Sequence, residues 1–427
     1  MVKQNNRNDL NCNETRRKVC IIGLDGATFD VIEPLIKNGD LPNIASIMKG
    51  GVSAELNSTF FPQSAAAWTS FATGKNPGKH SIIGFSKMTS DNYKLELVCG
   101  SGNKAKTIWE VLSEKKKKVI VIGIPMTYPP KPVNGILISG MDAPTVNASS
   151  VYPPQMAEGI LKISPDYKTR LYLKGYLHND KKRIKALNLI TNSINATAKL
   201  VHHLMNNNQW DFFVVRFSSP DNVQHHYWSY FDKNHSKHNP KSPFILKDAI
   251  NSIYRQLDRI IGELYKNINK DDTTFIIMSD HGAGPLADRA VFLNEWLRKM
   301  GYLCEIKNNR DRSLIKFLWK SGLFSFLVKI IPPDIKRVMI KRFPPLIQKT
   351  AMYLKFPNID WSKTKAFVSE VDGIRINKNG KYPQGIVTKE DYEDIRDSII
   401  NGLKYIRDSG ILSKFQGKIE TKSPYFS

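Results

Sequence analysis

The chain has 427 residues, 41% hydrophobic and 24% charged, so its composition excludes an intrinsically disordered protein and allows a large buried core. Lys and Arg outnumber Asp and Glu by 63 to 39, and the resulting net charge of +24 favours anionic partners such as phosphorylated molecules, nucleic acid or an acidic membrane. The absence of a long apolar run, of a secretory signal and of CxxC pairs argues against a membrane-spanning or disulfide-stapled protein and favours the cytoplasm.

The first half of the chain is predicted to alternate between short buried strands and helices. Residues 1–17 are polar and are expected to form a disordered leader. Residues 19–22 form a continuous apolar run next to glycine, which is typical of a strand buried on both faces. An Ala-rich stretch ends at Gly74, the usual residue just past a helix. The predicted helices are 28–37, 42–49, 65–73 and 106–114, and the further predicted strands are 119–122 and 136–138.

The second half continues the same alternation. The clearest helix covers residues 246–264, where apolar side chains recur with a period of about 3.6 residues. Alternating strands and helices favour one α/β domain over residues 18–427, with a mostly parallel central sheet and helices on both faces. The remaining predicted helices are 183–206 and 292–300, and the remaining predicted strands are 212–217 and 275–278.

A basic segment interrupts this pattern late in the chain. Residues 306–343 contain ten Lys or Arg side chains among aromatic and aliphatic residues. One interpretation is a basic, cap-like insertion over residues 304–360 whose apolar side chains pack on the main domain. The other is an interfacial helix that makes peripheral contact with an anionic membrane. The spacing of the apolar residues does not distinguish the two.

Acidic and histidine side chains follow three of the predicted strands. Asp25 comes after the first strand, Asp221 and His225 follow the strand at 212–217, and Asp280 and His281 follow the strand at 275–278. In a parallel sheet, ligands collect at the carboxyl ends of the strands. Asp and His are common ligands of zinc and similar divalent ions, so these residues predict a metal site at this edge.

Local spacing supports the second group of these residues. Ser219 and the proline after it are typical of a helix start, with Ser219 as the N-cap. Asp221 and His225 are then four residues apart on one helix face, where they can hold one ion together. A surface Asp–His pair without a metal is the simpler alternative for this motif taken alone.

Ser64 precedes the Ala-rich helix and has two interpretations. As an N-cap, its hydroxyl would accept a hydrogen bond from a helix amide, and the residues alone favour this structural role. As a nucleophile, it would use the same position, because a helix N-terminus favours the negative charge of a phosphate and a nearby metal activates a hydroxyl.

Four sequence blocks resemble one enzyme superfamily. They are GLDGATFDVIEPLIKNGDLPNIASIMKGG, STFFPQSAAAWTSFATGKNPGKHSIIGF, SPDNVQHHYW and FIIMSDHGAGP, in this order. They resemble the alkaline phosphatase superfamily, in particular its type I phosphodiesterase/nucleotide pyrophosphatase group with the microbial phosphohydrolases and phosphomutases. Secondary matches such as LNEWLRKMGYL extend the similarity to roughly residues 18–420. The resemblance implies a three-layer sandwich with an alkaline-phosphatase-like, mostly parallel sheet and an inserted cap.

The resemblance also implies a site for two divalent ions, usually zinc, with Mn or Mg as alternatives. One ion would be held by two carboxylates, an imidazole and the nucleophile oxygen: Asp25, Asp280, His281 and Ser64. The other would be held by Asp221 and His225. The Ser64 alkoxide would attack phosphorus and form a phosphoseryl intermediate. A sulfatase is disfavoured, because Ser64 is followed by three alanines instead of the Cys/Ser-x-Pro-x-Arg element of sulfatases.

The sequence departs from the family at the second ion. Relatives supply a third ligand from a histidine near the C-terminus, but the last histidine of this chain is His281. A truncated C-terminus is the favoured explanation. The alternatives are a degenerate member with a weak second site, or substitution by one of the other histidines: His202, His203, His226 or His238. Asn222 also stands where many relatives have Arg.

The predicted function is a cytoplasmic, metal-dependent phosphohydrolase that acts on phosphate mono- or diesters of small molecules. One alternative is a phosphomutase that returns the phosphoryl group to its substrate. Another is a non-catalytic protein that binds polyphosphate, nucleic acid or acidic lipid through its positive charge. No nucleic-acid-binding motif is found, so no specific nucleic-acid partner is expected.

Overall fold

The computed structural model describes residues 17–91, 93–285, 292–306, 359–369 and 373–408. These residues form two compact units. The first contains residues 17–85 and 98–285, and the second contains residues 86–97 and the described residues from 292 onward. Nearly all of the predicted leader, of the predicted insertion at 304–360 and of the basic segment at 306–343 lies outside the described residues. The prediction of one domain over 18–427 and the roles of these segments therefore stay predictions.

The described residues contain ten strands and twelve α-helices. In chain order the strands are β1 (Lys18–Leu24), β2 (Ser86–Met88), β3 (Leu95–Leu97), β4 (Val119–Ile122), β5 (Gly135–Ile138), β6 (Val151–Tyr152), β7 (Phe212–Phe217), β8 (Thr273–Met278), β9 (Ala366–Val368) and β10 (Ile374–Ile376). The helices are α1 (Phe29–Lys37), α2 (Pro42–Lys49), α3 (Ser64–Thr73), α4 (Pro77–His80), α5 (Ile108–Glu114), α6 (Met156–Ile163), α7 (Asp180–Asn207), α8 (Ser219–Phe231), α9 (Phe244–Lys247), α10 (Ala249–Asn267), α11 (Leu293–Lys299) and α12 (Asp391–Asp408).

A six-stranded sheet forms the centre of the first unit, in the order β6-β5-β4-β7-β1-β8. Every neighbouring pair is parallel except β5 and β6, which are antiparallel. Strands β4 and β7 are buried along their whole length, as expected for parallel strands covered on both faces. The predicted α/β fold with a mostly parallel sheet is confirmed.

Side chains alternate between the two faces of the sheet and create two cores. On one face, Cys20 and Ile22 of β1 pack in a large cluster with apolar residues of α7, α8 and α10. On the other face, Ile21 packs with Trp68 of α3 and Trp109 of α5. Helices therefore cover both faces, and the first unit has the three-layer architecture that the resemblance implied.

One long helix and the start of α8 differ from the sequence predictions. The predicted helix at 246–264 is divided at Asp248 into α9 and α10, because the backbone of Asp248 (φ −90°, ψ 0°) departs from helical geometry. Helix α8 begins at Ser219, so its N-cap is Ser218 and not Ser219. The Oγ atom of Ser219 is buried without a hydrogen-bond partner among the described residues. The N-cap assignment of Ser219 was therefore wrong.

The second unit has its own small aromatic core. Hairpin β2–β3 and the antiparallel pair β9–β10 are its strands. Tyr93 stacks on Trp361 at 3.9 Å between ring centroids and on Tyr382 at 5.3 Å, and its hydroxyl donates to Asn377 Oδ1 at 2.8 Å. None of the helices in the described part of the chain has the length and apolar character needed to cross a bilayer.

Candidate active site

Four of the predicted site residues meet at the carboxyl ends of β1 and β8. Ser64 Oγ donates a hydrogen bond to Asp25 Oδ1 at 3.2 Å and lies 3.2 Å from His281 Nε2. The same imidazole nitrogen lies 3.5 Å from Asp25 Oδ1 and 3.5 Å from Asp280 Oδ2. One ligand atom from each of Asp25, Asp280 and His281 lies within 4.8 Å of the others, which is close enough for one ion to contact all three.

Ser64 is the first residue of α3, and its hydroxyl does not cap that helix. The N-cap is Gln63, which makes no capping bond through its side chain. The structural interpretation of Ser64 as an N-cap was therefore wrong. Its Oγ bonds instead to Asp25 and lies beside His281, because a carboxylate and an imidazole are stronger partners for a hydroxyl than a helix amide.

Asp25 is completely buried, and its two oxygens have different partners. Oδ1 faces Ser64 and His281, as described above. Oδ2 accepts a hydrogen bond from Trp68 Nε1 at 3.3 Å and is ion-paired with the guanidinium of Arg216. The ring of Trp68 comes so close to β1 that a Cβ at Gly23 would overlap it. One oxygen of Asp25 is thus held by the protein, and the other faces the cluster.

Neither partner of Oδ2 is predicted from the sequence, although each leaves a signal there. Trp68 is four residues after Ser64, so the two side chains share one face of α3. Arg216 is a charged residue in the otherwise apolar strand FFVVRF. A charge in a fully buried strand requires a partner, but the sequence does not say which residue provides it.

Asp280 has one satisfied oxygen and one unsatisfied oxygen. Oδ1 accepts the backbone N–H of Gly26 at 3.2 Å, whereas Oδ2 is buried without a hydrogen-bond partner in the described residues. Burial, and then the negative charge of Asp25, raise the pKa of Asp280 to about 7. A buried carboxylate oxygen that lacks a donor beside an imidazole fits a bound cation, which would supply the missing positive partner.

The ring of His281 is oriented by its own backbone neighbour. Nδ1 lies 2.8 Å from the carbonyl of Gly282, and a carbonyl only accepts, so Nδ1 carries the hydrogen. In the neutral ring Nε2 then carries the lone pair that faces Asp25 and Asp280. Burial lowers the pKa of His281, but the charges of Asp280, Asp25 and Asp221 outweigh it and raise the pKa in the metal-free protein.

Asp221 and His225 form a second pair on α8. His225 Nε2 lies 3.1 Å from Asp221 Oδ1, as their spacing of four residues predicted. Burial opposes the charge of Asp221, but the hydrogen bond and the charge of His225 lower its pKa overall. The hydrogen bond to Asp221 in turn raises the pKa of His225.

This second pair lies against the loop that follows β1. Gly26 has a φ of +66°, and a Cβ there would lie 3.2 Å from Asp221 Cβ. Gln224 fixes the same loop, because its Nε2 donates to the carbonyl of Gly26 at 2.7 Å. The loop therefore connects the two predicted ligand groups. Asp25 precedes Gly26, the N–H of Gly26 donates to Asp280, and a Cβ at Gly26 would meet Asp221.

The described residues contain a single cluster of three or more metal-type ligands, and it does not include Asp221 or His225. Of the histidines considered as substitutes, His202 Nε2 pairs with Glu263 at 3.4 Å, and His238 Nδ1 donates to the carbonyl of Ser229 at 3.1 Å. Burial lowers the pKa of His226. A third ligand for the second group therefore stays a prediction.

His80 has a structural place in the same unit. It is completely buried, its Nδ1 accepts the N–H of Ile82 at 3.1 Å, and its Nε2 lies 2.9 Å from Ser70 Oγ. Since Nδ1 is an acceptor, Nε2 carries the hydrogen in the neutral ring and donates to Ser70. Burial lowers the pKa of His80 to about 4, so the ring is neutral at pH 7.

The family model for type I phosphodiesterase / nucleotide pyrophosphatase matches residues 19–408. The chain belongs to this family. The resemblance found in the sequence blocks is thereby confirmed. The comparison with curated proteins gives no match.

Solved structures that are similar to this chain include the following three. Two are phosphonoacetate hydrolase from Sinorhizobium meliloti 1021, with phosphonoformate (16% identity) and with phosphonoacetate (15%); both have a TM-score of 0.43 and cover 68% of this chain and 64% of their own. The third, BT33494S-sulf from a glycosaminoglycan-metabolism locus of Bacteroides thetaiotaomicron, is 12% identical, with a TM-score of 0.33 and coverage of 62% and 61%. The chain thus spans 64% of the length of the phosphonoacetate hydrolase chains.

Proposed function

We propose that this protein is a metal-dependent phosphoric ester hydrolase that acts on a phosphorylated small molecule, with Ser64 as its nucleophile. The observation that carries the proposal is the position of Ser64 Oγ, 3.2 Å from both Asp25 Oδ1 and His281 Nε2 at the start of a helix. Membership of the type I phosphodiesterase / nucleotide pyrophosphatase family supports the same class of reaction.

Two groups of side chains would hold divalent cations. Asp25 Oδ1, Asp280 Oδ2, His281 Nε2 and the oxygen of Ser64 form the first group, and Asp221 and His225 form the second. The unsatisfied Oδ2 of Asp280 supports a cation in the first group, and the carboxylate and imidazole donors suit zinc, with manganese or magnesium as alternatives. When bound, such cations supply positive charge that favours a serine oxyanion and polarises phosphoryl oxygens.

The residues of the chain account for the steps of the reaction. Ser64 Oγ, held by its hydrogen bond to Asp25, is oriented to attack phosphorus; a bond from Oγ to phosphorus forms as the bond to the leaving oxygen breaks. The proton of Ser64 passes to solvent water, and the leaving oxygen takes up a proton from solvent. Water then attacks the phosphoserine, which releases phosphate and restores Ser64. The net reaction consumes one ester and one water and gives an alcohol and a phosphate.

Helix α3 contributes to the binding of the phosphoryl group. The first N–H groups of a helix have no acceptor within the helix, and its N-terminus carries a partial positive charge. Ser64 is the first residue of this ten-residue helix, so an attached or bound phosphoryl group lies at that N-terminus. The exposed amides would stabilise negative charge on the phosphoryl oxygens.

The test compares Ser64→Ala with Ser70→Ala in the purified full-length chain. Ser70 lies on the same helix but bonds His80, so it is a matched control outside the cluster. With Zn²⁺ or Mn²⁺ present, hydrolysis of p-nitrophenyl phosphate and of bis-p-nitrophenyl phosphate is measured. We expect Ser64→Ala to lose turnover by orders of magnitude and Ser70→Ala to keep it. We also expect a phosphoserine at position 64 in the wild-type protein quenched with acid.

Several outcomes would contradict the proposal. Full turnover by Ser64→Ala would exclude Ser64 as the nucleophile. Turnover that does not change after chelation and dialysis would exclude the metal centre. Transfer of phosphate to an acceptor alcohol in preference to water would support a phosphomutase. Salt-sensitive binding of polyphosphate or nucleic acid without any hydrolysis would support the non-catalytic alternative.

A further inference from the structure

Arg216 carries a buried charge beside the candidate active site. Every residue of β7 is buried, and the side chain of Arg216 is only 5% exposed. A guanidinium cannot lose its proton in a protein, so it must be paired where it is buried. Its Nε and Nη2 both contact Asp25 Oδ2, and its Nη2 also lies 3.6 Å from the sulfur of Met141.

This ion pair joins two adjacent strands at the point where the predicted ligands begin. Strand β1 pairs with β7, and Gly23 lies opposite Arg216 in the register. Asp25 follows β1 directly, and its backbone N–H donates to the carbonyl of Phe217 at 3.0 Å. The backbone of Asp25 and its Oδ2 are therefore both tied to β7. Oδ1 is the oxygen that faces Ser64 and His281.

The pairing has a consequence for the charge of the site. Asp25 and Asp280 lie close together, because one ligand atom of each is within 4.8 Å of the other. Without a nearby cation, two buried carboxylates repel each other and disfavour the folded arrangement. Arg216 supplies one positive charge from within the fold, and this charge is present whether or not a metal is bound.

We propose that Arg216 is an internal counter-cation of Asp25: it keeps this carboxylate paired and oriented in the metal-free protein and leaves only Oδ1 for a divalent cation. The first half of the proposal concerns the ion pair and is independent of hydrolysis. The second half rests on the metal centre of the proposed function. Arg216 is a positioning residue in this account, because its contacts are with Asp25 and not with reacting atoms.

The experiment measures the melting temperature of the full-length chain in EDTA and in excess Zn²⁺ or Mn²⁺. Arg216→Met removes the counter-cation and leaves Asp25 buried and unpaired, so its melting temperature in EDTA is expected to fall on the order of 10 °C. A divalent cation can replace the lost charge. We therefore expect the cation to raise the melting temperature of Arg216→Met by more than it raises that of the wild type.

Two further variants separate charge from packing. Asp25→Asn weakens the same ion pair from the other side, so it is also expected to be less stable, but a cation should not rescue it because the ligand is lost. The double variant Arg216→Met with Asp25→Asn removes both charges and is expected to be more stable in EDTA than Arg216→Met. If Arg216→Met does not fold in EDTA, folding of the double variant under the same conditions shows that the unpaired charge of Asp25, and not lost packing, prevents folding.

Arg255→Met is the control for an ion pair away from the cluster. Arg255 pairs with Asp40 and Asp248 and is 35% exposed. Its loss is expected to cost little stability and to leave the response to Zn²⁺ or Mn²⁺ as in the wild type.

The proposal is overturned if Arg216→Met melts at the wild-type temperature in EDTA, or if the double variant is no more stable than Arg216→Met. An equal cation response in Arg216→Met and the wild type overturns the second half. If Arg216→Met loses stability but no variant responds to a cation, the ion pair is supported and the metal centre is contradicted. This result separates a failure of the proposed function from a failure of the ion-pair proposal.

Discussion

Replacement of Asp280 by Asn tests the electrostatics of the cluster in the metal-free protein. Asn has nearly the shape of Asp and its carbonyl oxygen can still accept the N–H of Gly26. It cannot ionise, so it removes the repulsion between this position and Asp25. In EDTA, we expect Asp280→Asn to be more stable than the wild type at high pH and close to it at low pH.

The size of the expected stability difference follows from the pKa of Asp280. Burial and the charge of Asp25 raise this pKa from its ordinary value of 3.8 to about 7. A carboxyl whose pKa is raised by folding contributes stability that is fully present below the unfolded value and is lost as the pH rises through the folded value. A difference of about three pKa units corresponds to roughly 4 kcal/mol, so the variant should gain on the order of 4 kcal/mol relative to wild type between about pH 4 and pH 8.

The assay is urea unfolding in EDTA at several pH values across this range, followed by the same series with saturating Zn²⁺. The cation should reverse the order, since the wild-type carboxylate is a ligand and the amide is a poor one. Asp221→Asn is the control, because its effect on stability should change with pH in the opposite direction. The pKa of Asp221 is lowered in the folded protein, so its contribution is present above the ordinary value and is lost as the pH falls.

A stability difference between Asp280→Asn and wild type that does not change with pH in EDTA would refute this reasoning. It would mean that Asp280 has an ordinary pKa in the folded protein, and hence that the cluster is more open or the two carboxylates farther apart than the structure shows. A gain of stability for Asp280→Asn in saturating Zn²⁺ would exclude Asp280 as a ligand.

Three further variants test the loop after β1 and the helix that carries Ser64. Gly26→Ala places a Cβ 3.2 Å from Asp221 at a φ of +66°, whereas Gly74→Ala has a φ of +61° and meets nothing within 4 Å. Both variants should lose about 1–2 kcal/mol of unfolding free energy in urea, because alanine disfavours the left-handed backbone conformation. Only Gly26→Ala should also bind less metal, and equal metal content in the two variants would contradict the contact between position 26 and Asp221. Trp68→Phe removes the hydrogen-bond donor to Asp25 Oδ2 and should lower the free energy of unfolding by about 1–3 kcal/mol. It should also weaken Zn²⁺ binding measured by titration, and an unchanged affinity would refute the role of Trp68 in positioning Asp25.

Much of the site could be predicted from residue types and their order. Asp25, Asp221 and Asp280 each follow a short apolar run, and a parallel sheet brings the ends of such runs to one edge. The contact between Asp221 and His225 could be predicted from helical periodicity alone, because residues four apart lie on the same helix face. The family blocks then indicated Ser64, which the local pattern alone would have left as a helix cap.

The sequence by itself therefore determined the α/β class, the parallel sheet and the residues that meet beyond it, because periodicity and strand order act through short-range geometry. Only the tertiary structure decided that Ser64 bonds Asp25 and not a helix amide, and that Arg216 and Trp68 share Oδ2 of Asp25. Arg216 and Asp25 are 191 positions apart, and their pairing depends on the register between β1 and β7. A charged residue in a buried strand indicates from the sequence alone that it needs a partner, but the packing of distant strands determines which residue that partner is.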